Sequence, residues 1–379
     1  MRNKITKLIN LIHAYVDLFL AREKPQAYPV ELSIGTTSYC NLKCVQCPRE
    51  GNEGNLMPFD EHLDMFYYRR LEPLLERAKE VSLYGLGEPM IDRRYFDKVR
   101  YITSFGADVS LSSNGTLLDE NRCRELIASG VKAIGISLDA ATEQTYALVR
   151  PPGGFPTVIQ NIKRLSRMKK ELGANLPQLR LSMGIMPPNL QEITQFVDLA
   201  AELECTEIIV HPVIYMSREK REELHIPPDI IAPRVEQARH RAKELGVNFY
   251  YWDLDSMTYL KSLRYAKQQQ DGRKDSETKP GTQTRKPHFC NFLWRNAMIQ
   301  GRGELFPCCY ITNVHLGYID HHDLRGWRSH PFLEDLRRQL FEGDIPEPCA
   351  RCPQLYPFDR SWILKQGYVE VKHFWKAPR

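Results

Sequence analysis

Residues 40–47 read Cys-Asn-Leu-Lys-Cys-Val-Gln-Cys, and they come shortly after a β-type run at Val30–Thr36. The three thiols, Cys40, Cys44 and Cys47, have the spacing C-x3-C-x2-C and can wrap one face of a metal cluster. A cubane [4Fe–4S] cluster has four irons, so three protein ligands would leave one iron open to a substrate or cofactor. By spacing alone, a zinc site short of one ligand and three unrelated thiols remain open alternatives.

Outward from this triplet, short β-type runs alternate with helical stretches as far as about residue 215. The predicted strands end in Gly, Pro, Asn or Thr and are Val30–Thr36, Glu80–Tyr84, Asp108–Ser112, Ala133–Leu138, Leu179–Ile185 and Glu207–Val210. The predicted helices are Leu63–Ala78, Tyr95–Phe105, Glu120–Ser129, Val158–Leu172 and Ile193–Leu203. This alternation predicts an α/β fold with a parallel sheet, as a barrel or as a flat doubly wound sheet. In either case, chemistry is expected at the carboxyl ends of the strands.

The composition is typical of a soluble globular protein, with 42% hydrophobic and 26% charged residues among 379. The net charge of +5 is too mild a bias to indicate a nucleic-acid partner, and none is expected. No secretory signal is recognisable in the first twenty residues. The ten cysteines therefore favour a reducing, cytoplasmic setting, where clustered thiols indicate a metal site or catalysis.

Further segments follow the later strands in order. Gly85-Leu86-Gly87-Glu88-Pro89 comes after the second predicted strand, Ser113-Asn114-Gly115 after the third, and Ser137-Leu138-Asp139-Ala140 ends the fourth. Together with the triplet, they resemble the cysteine motif and the G-G-E-P, T-N-G-like and S-[LIV]-D segments of radical S-adenosylmethionine (SAM) enzymes. Arg150 stands where a carboxylate-binding arginine is common in that family.

This resemblance implies a partial (β/α)6 TIM-like barrel over residues 30–215, with a SAM-binding [4Fe–4S] cluster on Cys40, Cys44 and Cys47. The residues that it implies for SAM binding are Gly87, Glu88, Pro89, Ser113, Asn114, Ser137, Asp139 and Arg150. The reduced cluster would split SAM to give a 5′-deoxyadenosyl radical, which removes a hydrogen atom from the substrate. The electron would come from an external donor such as flavodoxin or ferredoxin.

Gln46 departs from the family pattern, which usually has an aromatic residue before the third cysteine, near the adenine of SAM. The adenine contact is then open between Tyr39 and the backbone near Pro212. Tyr39 is interpreted equally well as a packing residue.

A second group of cysteines lies further along the chain. Gly303–Cys308 has the form G-x4-C and predicts a hairpin, while Cys349 and Cys352 form C-x2-C. In isolation, these thiols also suit zinc. Beside a radical SAM core, the group resembles the SPASM/twitch extension. That resemblance implies one auxiliary [4Fe–4S] cluster on Cys290, Cys308, Cys349 and Cys352, with Cys309 as a packing residue.

Four regions are predicted: an amphipathic helix and lead-in (1–29), the radical SAM core (30–215), a helical segment with a flexible linker (216–286), and the cysteine-rich extension (287–379). In the first region, Ile5, Ile9, Ile12 and Val16 recur at helical spacing. This pattern indicates a helix that packs on its own domain or a partner subunit, or one that contacts a membrane surface through residues 1–20.

The expected activity is oxidation, epimerisation or related tailoring of a small polar substrate, because the extension resembles those of aminocyclitol dehydrogenases and sugar epimerases. Radical modification of a ribosomal peptide or maturation of another protein is the alternative. The 29 residues before the first strand are too few for a peptide-recognition domain, which favours the small molecule. A zinc-bound scaffold or RNA-binding module would be colourless and would not cleave SAM. Candidate acids and bases are Asp253, Asp255, His211 and His315, each of which also suits a surface or structural role.

Overall fold

The computed structural model describes residues 2–47, 62–85, 87–213, 225–252, 286–309, 311, 314–319, 326–346, 349–350, 352 and 355–376. Its strands are β1 (Glu31–Gly35), β2 (Glu80–Tyr84), β3 (Asp108–Ser113), β4 (Ala133–Ser137), β5 (Gln178–Ile185), β6 (Glu207–Pro212), β7 (Asn248–Tyr251), β8 (His288–Cys290), β9 (Asn296–Gln300), β10 (Glu304–Phe306), β11 (Gly317–Tyr318) and β12 (Leu355–Pro357). The described helices are α1 (Arg2–Phe19), α2 (Met65–Arg70), α3 (Glu72–Leu75), α4 (Tyr95–Thr103), α5 (Glu120–Ala128), α6 (Glu143–Val149), α7 (Gly154–Glu171), α8 (Ile193–Glu202), α9 (Pro228–Leu245), α10 (Asn291–Arg295), α11 (Pro331–Glu342) and α12 (Arg360–Lys376).

Ten strands form one sheet in the order β11-β10-β9-β1-β2-β3-β4-β5-β6-β7. Strands β9 and β1 to β7 are parallel, whereas β10 runs antiparallel to both β9 and β11. Strands β8 and β12 form a separate antiparallel pair. The predicted α/β fold is confirmed as a partial TIM-like barrel with a C-terminal extension.

The two faces of the sheet differ because successive side chains of a strand point to opposite faces. On β2, Val81 and Leu83 are buried in the main hydrophobic core, while Ser82 between them is exposed. On β3, Val109 and Leu111 repeat this pattern. The outer face is therefore apolar and covered by helices, and the inner face carries small polar side chains.

The single helix predicted over Leu63–Ala78 is two short helices, α2 and α3. Pro73 stands in the first turn of α3, where its missing N–H costs nothing, but it cannot continue a helix from α2. The other predicted helices agree with the structure to within a few residues, and α6 is an additional helix that was not predicted.

The sheet continues beyond residue 215, where the sequence pattern places the end of the core. Helix α9 packs on α8, and β7 adds to the sheet parallel to β6, with Val210 opposite Tyr251. At the other side, β9 of the cysteine-rich extension pairs in parallel with β1. The linker predicted within 216–286 falls largely outside the described residues. No described helix combines the length and apolar character needed to cross a bilayer.

Candidate active site

The cysteine loop begins where the carboxyl ends of β1 and β2 are joined. The Gly87 N–H donates to the Thr37 carbonyl (3.1 Å), and the Glu88 N–H donates to the Tyr39 carbonyl (2.7 Å). A Cβ at Gly87 would lie 2.4 Å from the Tyr39 oxygen, so only glycine permits this approach. The close contact fixes the backbone next to Cys40.

The three thiols of the loop differ in exposure and in their neighbours. Cys44 is buried, and Cys40 and Cys47 are partly exposed. The Arg150 Nη1 lies 3.7 Å from the Cys44 Sγ, and the Asn114 Nδ2 lies 4.0 Å from the Cys40 Sγ. Burial raises the pKa of Cys44 to about 11, although the Arg150 charge opposes this. Donors aimed at sulfur fit thiolates that hold an iron–sulfur cluster, because such bonds stabilise their negative charge.

The Glu88 carboxylate organises the turn after β3. It is 1% exposed and accepts hydrogen bonds from the Ser113 hydroxyl (2.9 Å) and the Asn114 N–H (2.6 Å). Burial raises the pKa of Glu88, and these donors oppose the shift. The Asn114 side-chain Nδ2 donates in turn to the side-chain Oδ1 of Asn41 (2.9 Å), within the cysteine loop. Glu88, Ser113 and Asn114 are thus brought together as predicted, with the carboxylate turned towards protein donors.

Asp139 is the centre of a second buried network. Its backbone has a left-handed φ of +61°, and its Oδ2 accepts from Arg150 Nη2 (2.6 Å), Arg150 Nε (3.0 Å) and Gln46 Nε2 (2.6 Å). Its Oδ1 accepts from the Gly184 N–H (2.7 Å). Burial disfavours the charged form of Arg150 and acts to lower its pKa, but the attraction of the Asp139 carboxylate is stronger and the pKa is raised. The network positions Arg150 against Cys44.

Gln46 is the residue of the loop that the resemblance left without a role. Its Nε2 donates a hydrogen bond to the Asp139 carboxylate, and its Oε1 is buried without a hydrogen-bond partner among the described residues. An acceptor of this kind, one residue from Cys47, fits an N–H donor of a bound cofactor. Asn189 was missed by sequence reasoning: it is fully buried and donates to the carbonyls of Asp139 and Gly184, both at 2.8 Å.

Of the other predicted SAM-binding residues, Ser137 lies on the inner face of the sheet, where its Oγ accepts from the Ser182 hydroxyl (3.3 Å). Pro89 is buried and begins a 3₁₀ turn after β2. Tyr39 is exposed and its ring lies 4.9 Å from that of His62. Asp253 and Asp255 lie outside the described residues.

The inner face of the barrel encloses a cavity of about 560 Å³. It is lined by serine, charged, aliphatic and aromatic side chains and one glycine, namely Ser82, Leu83, Tyr84, Ser110, Leu111, Ser112, Gly135, Arg180, Glu207, Ile209, Tyr250 and Trp252. Arg180 Nε and Glu207 Oε1 form an ion pair at 3.0 Å. The Trp252 ring stacks on His211 with centroids 6.3 Å apart. Sequence reasoning missed this cavity, although the alternating serines of β2 and β3 were its signal.

The second cysteine group lines one pocket. Cys290, Cys308, Cys309, Cys349 and Cys352 share it with apolar side chains of Phe292, Leu293, Ile311, Leu336 and Leu355. Pairing of β8 with β12 puts Leu355 opposite Cys290, and the Cys352 N–H donates to the Cys349 carbonyl (3.0 Å). The predicted hairpin is present as β9 and β10, with Gly303 at a φ of +80°. Cys309 is exposed and lines the same pocket, which differs from the packing residue expected.

No three His, Cys, Asp or Glu side chains among the described residues converge tightly enough to bind one metal ion. A cubane presents its irons at separate corners, so its thiolates need not meet at a single point. Thiols in an otherwise apolar wall fit such a cluster better than a hydrated ion.

Tyr84 connects the barrel cavity to β9 of the cysteine-rich extension. It lines the cavity, and its phenol oxygen accepts from the Gln300 Nε2 at 3.4 Å. Burial raises the pKa of Tyr84. Tyr84 therefore contacts both the cavity and β9 of the cysteine-rich extension.

Comparison with known families matches two parts of the chain. Residues 34–200 match the radical SAM superfamily, and residues 290–353 match the SPASM iron–sulfur cluster-binding domain.

Curated relatives share part of this sequence. The AdoMet-dependent heme synthase of Methanosarcina barkeri is 30% identical over 168 residues, which is 44% of this chain and 46% of the synthase. A tungsten-containing aldehyde ferredoxin oxidoreductase cofactor-modifying protein of Pyrococcus furiosus is 26% identical over 194 residues, covering 50% of this chain and 53% of that protein. The matches thus span about half the length of these relatives.

Solved structures share the fold. SuiB of Streptococcus suis bound to S-adenosylmethionine has a TM-score of 0.62 at 16% identity, covering 82% of this chain and 68% of SuiB. The anSMEcpe structure with bound AdoMet and the Cp18Cys peptide has a TM-score of 0.55 at 15% identity, covering 91% and 96%.

Proposed function

The chain belongs to the radical SAM superfamily and carries a SPASM domain, and from this premise we propose that it abstracts a hydrogen atom from a small polar substrate held inside the barrel. The family makes it an enzyme that uses a [4Fe–4S] cluster and SAM, with auxiliary iron–sulfur binding in the SPASM domain. When bound, the cluster at the SAM site supplies the electron that splits SAM into methionine and a 5′-deoxyadenosyl radical, and an auxiliary cluster can accept an electron.

The residues around the triplet would hold and orient these groups. Cys40, Cys44 and Cys47 are the proposed cluster ligands, and the Arg150 and Asn114 donors near two of the sulfurs support that role. The Gln46 Oε1, which is buried without a hydrogen-bond partner in the described part of the chain, supports a contact to a SAM nitrogen that carries a hydrogen. One auxiliary cluster is proposed on Cys290, Cys308, Cys349 and Cys352. A flavodoxin or ferredoxin is the proposed electron donor.

The lining of the barrel cavity is the observation that carries the substrate class. Ser82, Ser110 and Ser112 present hydroxyls to the cavity, and the Arg180–Glu207 pair adds charged hydrogen-bonding groups. A volume of about 560 Å³ is in the range of small-molecule sites. Such a lining suits a ligand with many hydroxyl or amino groups, and a sugar or an aminocyclitol is the proposed class.

The position of Tyr84 supports net oxidation as the outcome. Once a carbinol carbon has lost its hydrogen atom, conversion to the ketone needs the loss of one more electron and the hydroxyl proton. Tyr84 lines the cavity and accepts a hydrogen bond from Gln300 on β9 of the cysteine-rich extension, so it lies on a route that this electron could take. Tyr84→Phe should therefore lower ketone formation more than 5′-deoxyadenosine formation.

The test is anaerobic turnover of the reconstituted enzyme with pools of deuterated sugars and aminocyclitols, followed by mass spectrometry of 5′-deoxyadenosine. Deuterium transfer from one of these compounds supports the proposal, and Arg180→Gln should raise KM for it by about tenfold. The matched control is Arg124→Gln, whose ion pair with Glu120 is exposed and does not belong to the cavity lining. Deuterium transfer from none of the pools, with SAM cleavage intact, would exclude this substrate class.

A peptide side chain is the second candidate. The observation that favours it is the shared fold with SuiB bound to its precursor peptide, at a TM-score of 0.60, and with anSMEcpe bound to a peptide. In the described residues the sheet ends at β7 and β11 without closing, which leaves a side through which a chain could enter. Deuterium transfer from labelled peptides, but not from the sugar pools, would favour this candidate.

A further inference from the structure

The outward face of α1 is apolar, which reverses the usual arrangement of a surface helix. Ile5, Ile9, Ile12, Val16 and Leu20 form a stripe at helical spacing on and just after α1, and each side chain is 40–49% exposed. Three polar side chains of the helix, Lys7, Asn10 and Asp17, are instead buried. No described part of the chain covers this stripe, and packing within the fold does not account for it.

Helix α12 extends the apolar surface. Leu364, Tyr368 and Trp375 are 59–67% exposed and share one stripe of α12 with Val371. Val371 itself packs on a small cluster that includes Leu11 and Ala14 of α1. A Cβ at Gly367 would lie 3.0 Å from the Tyr15 ring of α1, so the two helices are in close contact. We call the exposed stripes of these two helices the α1–α12 face.

Polar contacts hold the pair in a fixed orientation. Glu370 of α12 binds the Arg295 guanidinium (3.0 Å) and the Lys79 ammonium (2.7 Å), and Lys7 of α1 donates to the Leu75 carbonyl (2.7 Å). Burial opposes ionisation of Glu370, but Arg295 and Lys79 outweigh it and lower its pKa to about 2. The Glu370 carboxylate is therefore paired with cations of the protein itself, and these contacts attach helices α1 and α12 to the rest of the fold.

The charges left at the surface of the two helices have one sign. Their only carboxylates are Asp17, which is 1% exposed, and Glu370, which is partly buried in the contacts above. The exposed basic side chains on α12 include Arg360, Lys365 and Lys372. Lys372 lies over the Tyr368 ring at 5.7 Å, so cation and aromatic group stand side by side.

We propose that the α1–α12 face docks the enzyme on an anionic lipid membrane surface. Aromatic rings and long basic side chains beside a strip of aliphatic groups match the boundary between headgroups and acyl chains, where amphipathic helices lie at a depth of roughly 5–10 Å. The absence of exposed carboxylates on these helices suits anionic headgroups. A second copy of the chain fits less well, because an isologous contact would bring the lysines of both copies together.

The test is flotation of the full, reconstituted enzyme with vesicles of phosphatidylcholine alone or with 30% phosphatidylglycerol. We expect binding to the anionic vesicles that weakens with salt, and a loss of about tenfold in Ile9→Glu and in Lys365→Glu/Lys372→Glu. The matched control is Leu172→Glu, which changes a leucine that is 53% exposed at the end of α7 and should bind like the wild type. Circular dichroism of each variant checks that these surface changes leave the fold intact.

Binding to anionic vesicles that Ile9→Glu abolishes and Leu172→Glu preserves would support the proposal. No flotation with either vesicle, or equal flotation of wild type and Ile9→Glu, would overturn it. Analytical ultracentrifugation provides the second readout. A dimer that Ile9→Glu dissociates, in a protein that ignores vesicles, would show that another copy covers the face and would also overturn it.

Discussion

Replacing Asp139 by Asn tests the buried network that holds Arg150 against Cys44. The substitution preserves the shape of the side chain but removes the charge that accepts two hydrogen bonds from the guanidinium, at 2.6 and 3.0 Å. Both side chains of the ion pair are 6% exposed, so the guanidinium charge would remain buried without its partner. Breaking one side of such a pair costs about 3–5 kcal/mol.

The expected change in melting temperature follows from the size of the chain. With an unfolding entropy of about 2 cal/mol/K per residue, the 379 residues give about 0.8 kcal/mol/K. Asp139→Asn should therefore lower Tm by about 4–6 °C. The assay is anaerobic differential scanning fluorimetry of the apoprotein, so that loss of a metal cluster does not enter the comparison.

The control is Glu202→Gln, which breaks the exposed pair with Lys163, whose side chains are 54% and 62% exposed. Surface pairs contribute about 0–1 kcal/mol, so this Tm should fall by about 1 °C or less. A Tm loss in Asp139→Asn no larger than in Glu202→Gln would refute the view that the Asp139 carboxylate stabilises a buried charge.

Three further variants test other parts of the account. Cys352→Ala should remove about four irons per chain and leave 5′-deoxyadenosine formation from SAM intact, whereas Cys309→Ser should retain the full iron content. Equal loss of iron in both variants would instead assign Cys309 as a cluster ligand. Because the pKa of Glu370 is lowered to about 2, its stabilising effect is present above the unfolded pKa near 4.5 and is lost as pH falls towards 2. Glu370→Gln should therefore have a lower Tm at pH 7 and a flatter decline in Tm between about pH 4.5 and 2. A pH profile of Tm identical to that of the wild type would contradict this. Gln46→Leu should weaken SAM binding about tenfold by calorimetry, and an unchanged Kd would exclude the amide as a SAM contact.

The sequence predicts most of the sheet because β1 to β6 combine apolar side chains with terminal turn residues. Strand β7 escapes prediction because it has only four residues and its place depends on pairing with β6. Equally, the local sequence of β9 does not reveal that it pairs with β1, over 260 positions away, at Asn296 opposite Glu31. Long-range pairing of this kind is a property of the folded chain.

For the site, order along the strands brings the predicted residues together because the carboxyl ends of parallel strands share one edge. Sequence reasoning does not say where each carboxylate points. Glu88 and Asp139 stay predicted SAM contacts, and in the structure both carboxylates also accept hydrogen bonds from protein donors. The orientation of the Gln46 amide follows from its hydrogen bond to Asp139, a residue 93 positions away, and local sequence does not reveal such a contact.

The central claim is that Cys40, Cys44 and Cys47 support reductive cleavage of SAM. Its most direct test is quantification of 5′-deoxyadenosine after anaerobic reconstitution with iron and sulfide, reduction with dithionite and addition of SAM. The wild type should form 5′-deoxyadenosine, and the triple variant Cys40→Ala/Cys44→Ala/Cys47→Ala should form none while retaining the iron bound by the second cysteine group. An iron-loaded wild type that forms no 5′-deoxyadenosine, or a triple variant that forms it equally well, would contradict the account.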